Sequence, residues 1–348
     1  MAALEDARAA GPSWQSRIVL VIGMLLLANA AAWLWAWSVF ASHPALLGTA
    51  LLAWVFGLRH AVDADHIAAI DNVVRKLMQD GRRPLCVGLF FSLGHASVVI
   101  LACVVIAATA AAVPLDAVRA VTGTIGSAVS ATFLLLIGFA NLLILRQVWG
   151  QMRRVREQGA LAAEPHPDAA AGGLLTRLLR PALRLIRRSW QMYPLGFLFG
   201  LGFDTATEIG LMAIAATQAA QGLDPWQVLV FPALFTAGMT LVDTADSILM
   251  VGAYDWALAD PLRKLWYNLT ITAASVAVAL LIGGVEAAGM LADRLSLDGP
   301  GWRLVAALND DITTLGCAVI AIFILAWIVS AAIYRWTAWS VRVVPAPD

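Results

Sequence analysis

The sequence predicts an all-α, polytopic membrane protein with eight transmembrane helices, and three observations carry that expectation. The 348 residues are 61% hydrophobic and 13% charged, with a mean hydropathy of +0.79. A soluble domain is roughly 45–50% apolar and about 25% charged. Eight stretches, 18–41, 45–74, 85–113, 125–145, 194–219, 228–253, 265–284 and 313–334, are each long enough to cross a bilayer, which takes about 20 apolar residues. Nineteen of the 23 lysines and arginines fall in alternate connecting segments (1–17, 75–84, 146–193, 254–264 and 335–348), against three in the others. Basic residues gather on the cytoplasmic side. Both termini are therefore expected in the cytoplasm, with residues 1–348 forming one transmembrane domain in the cytoplasmic (inner) membrane.

The same numbers exclude a soluble enzyme, a disordered chain and a nucleic-acid binder. The 23 basic and 23 acidic residues balance, so no net field draws a polyanion. Cys86, Cys103 and Cys317 sit in apolar runs without a close pair, which excludes a disulfide framework and a thiolate zinc site. No nucleotide-binding motif occurs, so ATP is not used by this chain itself.

The first stretch is too long for a signal-peptide core and lacks a small-residue cleavage site before Pro44, so it reads as a retained span. The second holds the densest ionisable cluster, Arg59-His60-Ala61-Val62-Asp63-Ala64-Asp65-His66-Ile67. On a regular helix, turning about 100° per residue, His60, Asp63 and His66 form one polar stripe and Asp65 faces away. Two imidazoles and a carboxylate suit a borderline transition metal such as nickel, cobalt, copper or zinc, and do not suit magnesium or calcium. Asp65 either joins them across a broken helix or orients a histidine from behind. A single buried histidine is ordinarily a hydrogen-bonded core residue. Two histidines and two aspartates in seven mid-membrane residues are not explained that way, and no His-Glu-x-x-His protease string occurs.

Span 3 adds Ser92-Leu93-Gly94-His95-Ala96-Ser97, with His95 at matching depth as ligand or gate. Span 4 leads into a basic loop, 146–193. Its 159–173 part reads as an Ala-, Pro- and Gly-rich linker, and 174–188 reads as a basic amphipathic surface helix or simply as a topology-fixing positive segment. In span 5, Asp204, Thr207 and Glu208 share a helix face. In span 6, Asp243, Asp246 and Ser247 do the same. These carboxylates coordinate an ion, carry protons or hydrogen-bond the histidines. Only Arg59 among internal cations could neutralise the acids, so an incoming positive species is required. Span 7 opens with an interfacial Trp266-Tyr267 pair, and Asn268 serves either the pathway or helix packing.

Gly57-Leu58 aligns with Gly200-Leu201 at an offset of 143, and Phe91-Ser92-Leu93-Gly94 with Phe235-Thr236-Ala237-Gly238 at 144. Spans 2–4 thus echo spans 5–7. A shift of three spans reverses direction, so this would be an inverted repeat, a transporter hallmark.

At these motifs the chain resembles the nickel/cobalt transporter (NiCoT) family. The likeness lies in the second-span string from His60 to Asp65-His66 and in Phe91-Ser92-Leu93-Gly94-His95. It extends to Leu201-Gly202-Phe203-Asp204-Thr205-Ala206-Thr207-Glu208 and Gly238-Met239-Thr240-Leu241-Val242-Asp243-Thr244-Ala245-Asp246. Ala96 departs from the family's hydroxyl residue, and Ser97 is its candidate substitute. The resemblance implies high-affinity nickel or cobalt uptake by a permease that is not an enzyme and carries no cofactor beyond its cargo. The metal ligands are then expected among His60, Asp63, Asp65, His66 and His95. The route is expected along Ser92, Asp204, Thr207, Glu208, Asp243, Asp246 and Asn268. The ion and membrane lipid are the expected partners. Export of the same metals and an intramembrane metalloenzyme are the competing readings. Nickel and cobalt accept the same donors, so the sequence does not rank them.

Overall fold

The computed structural model describes residues 14–109, 115–158, 186–202, 205–258, 261–310 and 312–336. Among them every regular element is helical. The helices are α1 (Trp14–Phe40), α2 (Pro44–His60), α3 (Ala64–Gln79), α4 (Val87–Thr109), α5 (Leu115–Gln158), α6 (Met192–Gly200), α7 (Ala206–Ala220), α8 (Val230–Leu258), α9 (Pro261–Leu295), α10 (Pro300–Asp310) and α11 (Ile312–Trp336). A single turn, Pro225–Val228, leads into α8. Most of the 174–188 segment lies outside the described residues, as do both chain ends.

Five segments among the described residues are long and apolar enough to cross a membrane unbroken: Trp14–Phe40, Val87–Ala108, Gly126–Gly150, Pro225–Tyr254 and Leu269–Leu295. Two bent pairs raise the number to seven: α2 with α3, bent by 51°, and Pro300–Asn309 with Thr314–Ala326, bent by 81°. The chain is thus a multi-pass membrane protein. Its outward faces are apolar because lipid, unlike water, does not penalise exposed leucine, and α1 is the extreme case, with only 17% of its most apolar window buried.

The second apolar stretch is not the regular helix expected from its hydropathy. α2 ends at His60, where Val62 N–H and Asp63 N–H donate to the carbonyls of Arg59 and His60 in tight three-residue turns. Asp63 is extended (φ −63°, ψ 144°) and starts α3. The fifth stretch breaks likewise: α6 ends at Gly200, and α7 starts after Thr205, whose hydroxyl accepts from Glu208 N–H. Neither α6, with 9 residues, nor α7, with 15, spans a bilayer alone.

α8 is the central post, packed against α1, α2, α3, α4, α7 and α9. Two crossings bring backbones together where only hydrogen fits on Cα. A Cβ on Gly57 of α2 would strike the Phe235 carbonyl of α8, and one on Gly238 would strike the Trp54 carbonyl. Likewise a Cβ on Gly196 of α6 would strike the Phe91 carbonyl of α4, and one on Gly94 the Tyr193 carbonyl. Small residues allow such close approach between membrane helices. Asn29 secures α1 against this core: its amide donates to the Ala237 carbonyl at 3.0 Å and accepts from Trp54 Nε1 at 2.9 Å.

Gly57→Val is expected to destabilise the protein by about 1–3 kcal/mol through overpacking against α8. Gly48→Val makes the same propensity change in the same helix, where no heavy atom lies within 4 Å of an added Cβ. Thermal melts of the detergent-solubilised variants check this: Gly57→Val melts lower and Gly48→Val matches the parent.

Candidate metal centre

The break in the second stretch, rather than a helical stripe, creates the site. His60 closes α2, and His66 stands in the first turn of α3. Because the axes bend by 51°, the two rings meet with centroids 4.6 Å apart. α4 delivers His95, its ring 4.8 Å from that of His60 and 4.9 Å from that of His66. One ligand atom from each of His60, His66 and His95 lies within 4.8 Å of the other two. All three are buried, at 1%, 0% and 3% exposure.

Each nitrogen has a distinct setting. His60 Nδ1 meets Asp63 Oδ2 at 2.7 Å, leaving Nε2 to face His95 Nε2 at 2.9 Å. His66 Nδ1 meets Asp243 Oδ2 at 3.2 Å, while its buried Nε2 has no hydrogen-bond partner among the described residues. Ser92 Oγ donates to the same Asp243 oxygen at 2.5 Å and fixes it. From the second break, Glu208 Oε1 reaches His95 Nε2 at 2.8 Å and stands 4.0 Å from His60 Nε2. Thr205 Oγ1 donates to Glu208 Oε2 at 2.9 Å. Thr207 Oγ1 lies 3.2 Å from His60 Nδ1. Phe91 packs edge-on against the His66 ring, with centroids 4.8 Å apart, and Phe235 packs against His60 at 5.5 Å.

The arrangement has a recognisable chemical logic. A metal-ligating imidazole ordinarily gives its second nitrogen to a carboxylate, which sets its tautomer and direction. Asp63 and Asp243 occupy that position for His60 and His66. The opposite nitrogens, the His95 ring and Glu208 Oε1 converge on one buried point. Imidazole nitrogen with one or two carboxylate oxygens is a donor set for divalent first-row metals.

Several sequence-based expectations change. Asp63, placed beside His60 and His66 as a ligand on a regular helix, sits in the break and holds the far nitrogen of His60. Asp65 lies within Coulombic range of His60 and His66, with a buried Oδ1 that has no hydrogen-bond partner among the described residues. Glu208, expected on the route, stands with the histidines. Thr207 and Glu208 stand in the first turn of α7, which starts at Ala206 after Thr205. Asp204 itself and the side chain of Asn268 lie outside the described residues. Ser92 and Asp243 form one hydrogen-bonded pair across α4 and α8, and Ser247 Oγ accepts from Gly88 N–H at 2.7 Å in the same crossing. Asp246, one turn from Asp243, lies within Coulombic range of both Asp71 and Asp243. Arg59 is exposed and does not serve as the internal counter-charge. Thr205 and Phe91 were not singled out from sequence, although each lies inside a quoted motif.

Comparison with known proteins gives a consistent result. The profile of the family described as "High-affinity nickel-transport protein" matches residues 46–333. The chain is 56% identical over 331 residues to the hydrogenase nickel incorporation protein HupN of Bradyrhizobium diazoefficiens, covering 94% of this chain and 85% of that one. It is 54% identical over 325 residues to the high-affinity nickel transport protein of Cupriavidus necator, covering 92% of each. It is 39% identical over 300 residues to the cobalt transport protein NhlF of Rhodococcus rhodochrous, covering 83% of this chain and 84% of the relative. No solved structure matches the chain.

Proposed function

The chain belongs to the high-affinity nickel-transport protein family, and from that premise we propose that it is a secondary permease carrying nickel or cobalt ions into the cytoplasm across the inner membrane. It is a transporter rather than an enzyme, in keeping with its relatives. The observation that carries the reading is the convergence of His60, His66 and His95 within 4.8 Å in the membrane interior.

In this reading a hydrated divalent ion sheds water onto the open nitrogens of His60, His66 and His95, with Glu208 Oε1 as an oxygen donor. Asp63 and Asp243 orient two of the rings, and Asp65 adds negative field. Thr205 holds Glu208, and Ser92 holds Asp243. Thr207, Asp204, Asp246 and Asn268 belong to the route. Imidazole-rich coordination explains why nickel and cobalt are retained while magnesium passes by. Export is the weaker reading, because a relative at 56% identity carries the name of a nickel incorporation protein.

Eight spans follow when α6 and α7 count as one broken span beside the seven candidates. An even number places both termini on one side, and the basic segments assign that side to the cytoplasm. The inverted repeat gains support from the two glycine crossings. Trp54, Gly57 and Leu58 of α2 meet Phe235 and Gly238 of α8, while Tyr193, Gly196 and Phe197 of α6 meet Phe91 and Gly94 of α4. The contacts correspond at an offset of 139 on the half-helices and 144 on the long ones. The lower value replaces the Gly57-to-Gly200 register. Paired broken helices around a midplane site are an arrangement through which two halves can rock.

Cells carrying His60→Ala or His66→Ala are expected to accumulate radioactive nickel and cobalt at least about tenfold more slowly than the parent at equal membrane abundance. Full uptake by both variants contradicts the ligand assignment. Metal and protons compete for the same imidazole nitrogens. Nickel binding to the purified protein is therefore expected to weaken as pH falls, most steeply below about pH 6, just under the ordinary imidazole range. Binding unchanged between pH 7.5 and about pH 5 contradicts nitrogen coordination.

A further inference from the structure

The polar residues of α3 do not stop at His66. Asp71, Asn72 and Arg75 are buried on the same helix, at 0%, 0% and 1% exposure. A helix rises about 1.5 Å per residue, so Asp71 stands about 7–8 Å and Arg75 about 13–14 Å beyond His66. This is the end of α3 that leads to Lys76, Arg82 and Arg83. By hydropathy Arg75 belongs to the positive connecting segment; the structure buries it instead.

These residues form a second polar cluster. Asp71 accepts from Tyr254 OH at 3.1 Å and from Ser275 Oγ at 2.7 Å. Asp246 lies within Coulombic range of Asp71, and its buried Oδ2 has no hydrogen-bond partner among the described residues. Arg75 Nη2 donates to Asn72 Oδ1 at 3.1 Å, and Asn141 Nδ2 donates to the same oxygen at 2.5 Å. Arg75 Nε and Nη1, however, are buried with no hydrogen-bond partner among the described residues, although Asp71 lies within Coulombic range of the guanidinium. One turn before Ser275, Thr272 Oγ1 is also buried and unpartnered among the described residues.

A buried guanidinium with two open N–H groups is costly unless its position does something. Arg75 lies within Coulombic range of Asp71 without a hydrogen bond to it, and Asp246 lies within Coulombic range of Asp71, so two buried carboxylates outnumber the one cation. We propose that Asp71 and Asp246, with the hydroxyls of Tyr254, Ser275 and Thr272, form a second, all-oxygen cation station that receives the ion after the imidazoles, and that Arg75 is the resident counter-cation of that station. This rests on the transport reading above. Oxygen donors hold nickel and cobalt less tightly than imidazoles do. An ion moving from nitrogen to oxygen therefore descends an affinity gradient, and passage requires each site to be weak enough to leave. Arg75 repels the arriving divalent ion and keeps the station shallow.

The test titrates Co2+ into purified full-length protein, followed by calorimetry and by visible absorption, which separates nitrogen-ligated from all-oxygen cobalt. The parent binds one ion tightly. Arg75→Gln is expected to bind a second, with the weak absorption of an oxygen-ligated ion. Arg75→Gln with Asp71→Asn returns to one ion. Arg75→Gln with His60→Ala retains the oxygen-ligated ion and weakens the other. A monodisperse Arg75→Gln protein that binds no second ion overturns the proposal, as does a second ion that survives Asp71→Asn. An unaltered tight site after His60→Ala sinks the histidine reading instead. Asp71→Asn alone gives an independent check in proteoliposomes. It is expected to lower maximal uptake at least tenfold while KM stays within twofold; an unchanged maximal rate overturns the proposal.

Discussion

An ionised side chain inside a bilayer has no bulk water to turn to, and each group must find its partner in the protein. That constraint organises this molecule. Among the described residues its three interior histidines are held by carboxylates from three places, Asp63 in the α2–α3 break, Asp243 on α8 and Glu208 on α7, with Asp65 of α3 within Coulombic range. His60 Nε2 then faces His95 Nε2, and His66 Nε2 is buried with no hydrogen-bond partner among the described residues.

The broken helices follow from the same need. On an unbroken helix, His60 and His66 would lie a turn and a half apart along the axis. Interrupting the helix at residues 61–63 folds the end of α2 over the start of α3 and brings the two rings together edge to face. The freed backbone groups lie against protein and not lipid, the only environment in which non-helical backbone persists at this depth. The break before α7 serves the opposite side of the centre by bringing Glu208 to His95. The glycine crossings hold the half-helices closely against α4 and α8, so the rings are carried on tightly packed backbone.

Much of this was legible in the sequence, for physical reasons. Eight apolar stretches were visible because hydropathy is a property of composition; among the described residues, five unbroken candidate spans and two bent pairs are present. His60, His66 and His95 stood out because imidazole in hydrocarbon is costly. The break was legible only as one of two readings opened by Asp65, because Ala61-Val62-Asp63 contains neither proline nor glycine to mark it, and no periodicity shows that Asp63 meets His60 Nδ1 from within the break. Glu208 meets His95 across 113 residues, a separation that no periodicity encodes. The burial of Arg75 was not legible, because an arginine at the end of an apolar run reads only as a topology signal. Its burial depends on Asn72 beside it and Asn141 on another helix.

The central claim is that a divalent ion sits among imidazole nitrogens rather than carboxylates alone. X-ray absorption at the nickel edge of the purified, nickel-loaded protein tests it most directly. The account requires outer-shell scattering from two or three imidazole rings, reduced by one ring in His95→Ala. A spectrum with oxygen neighbours only, unchanged by that substitution, contradicts it.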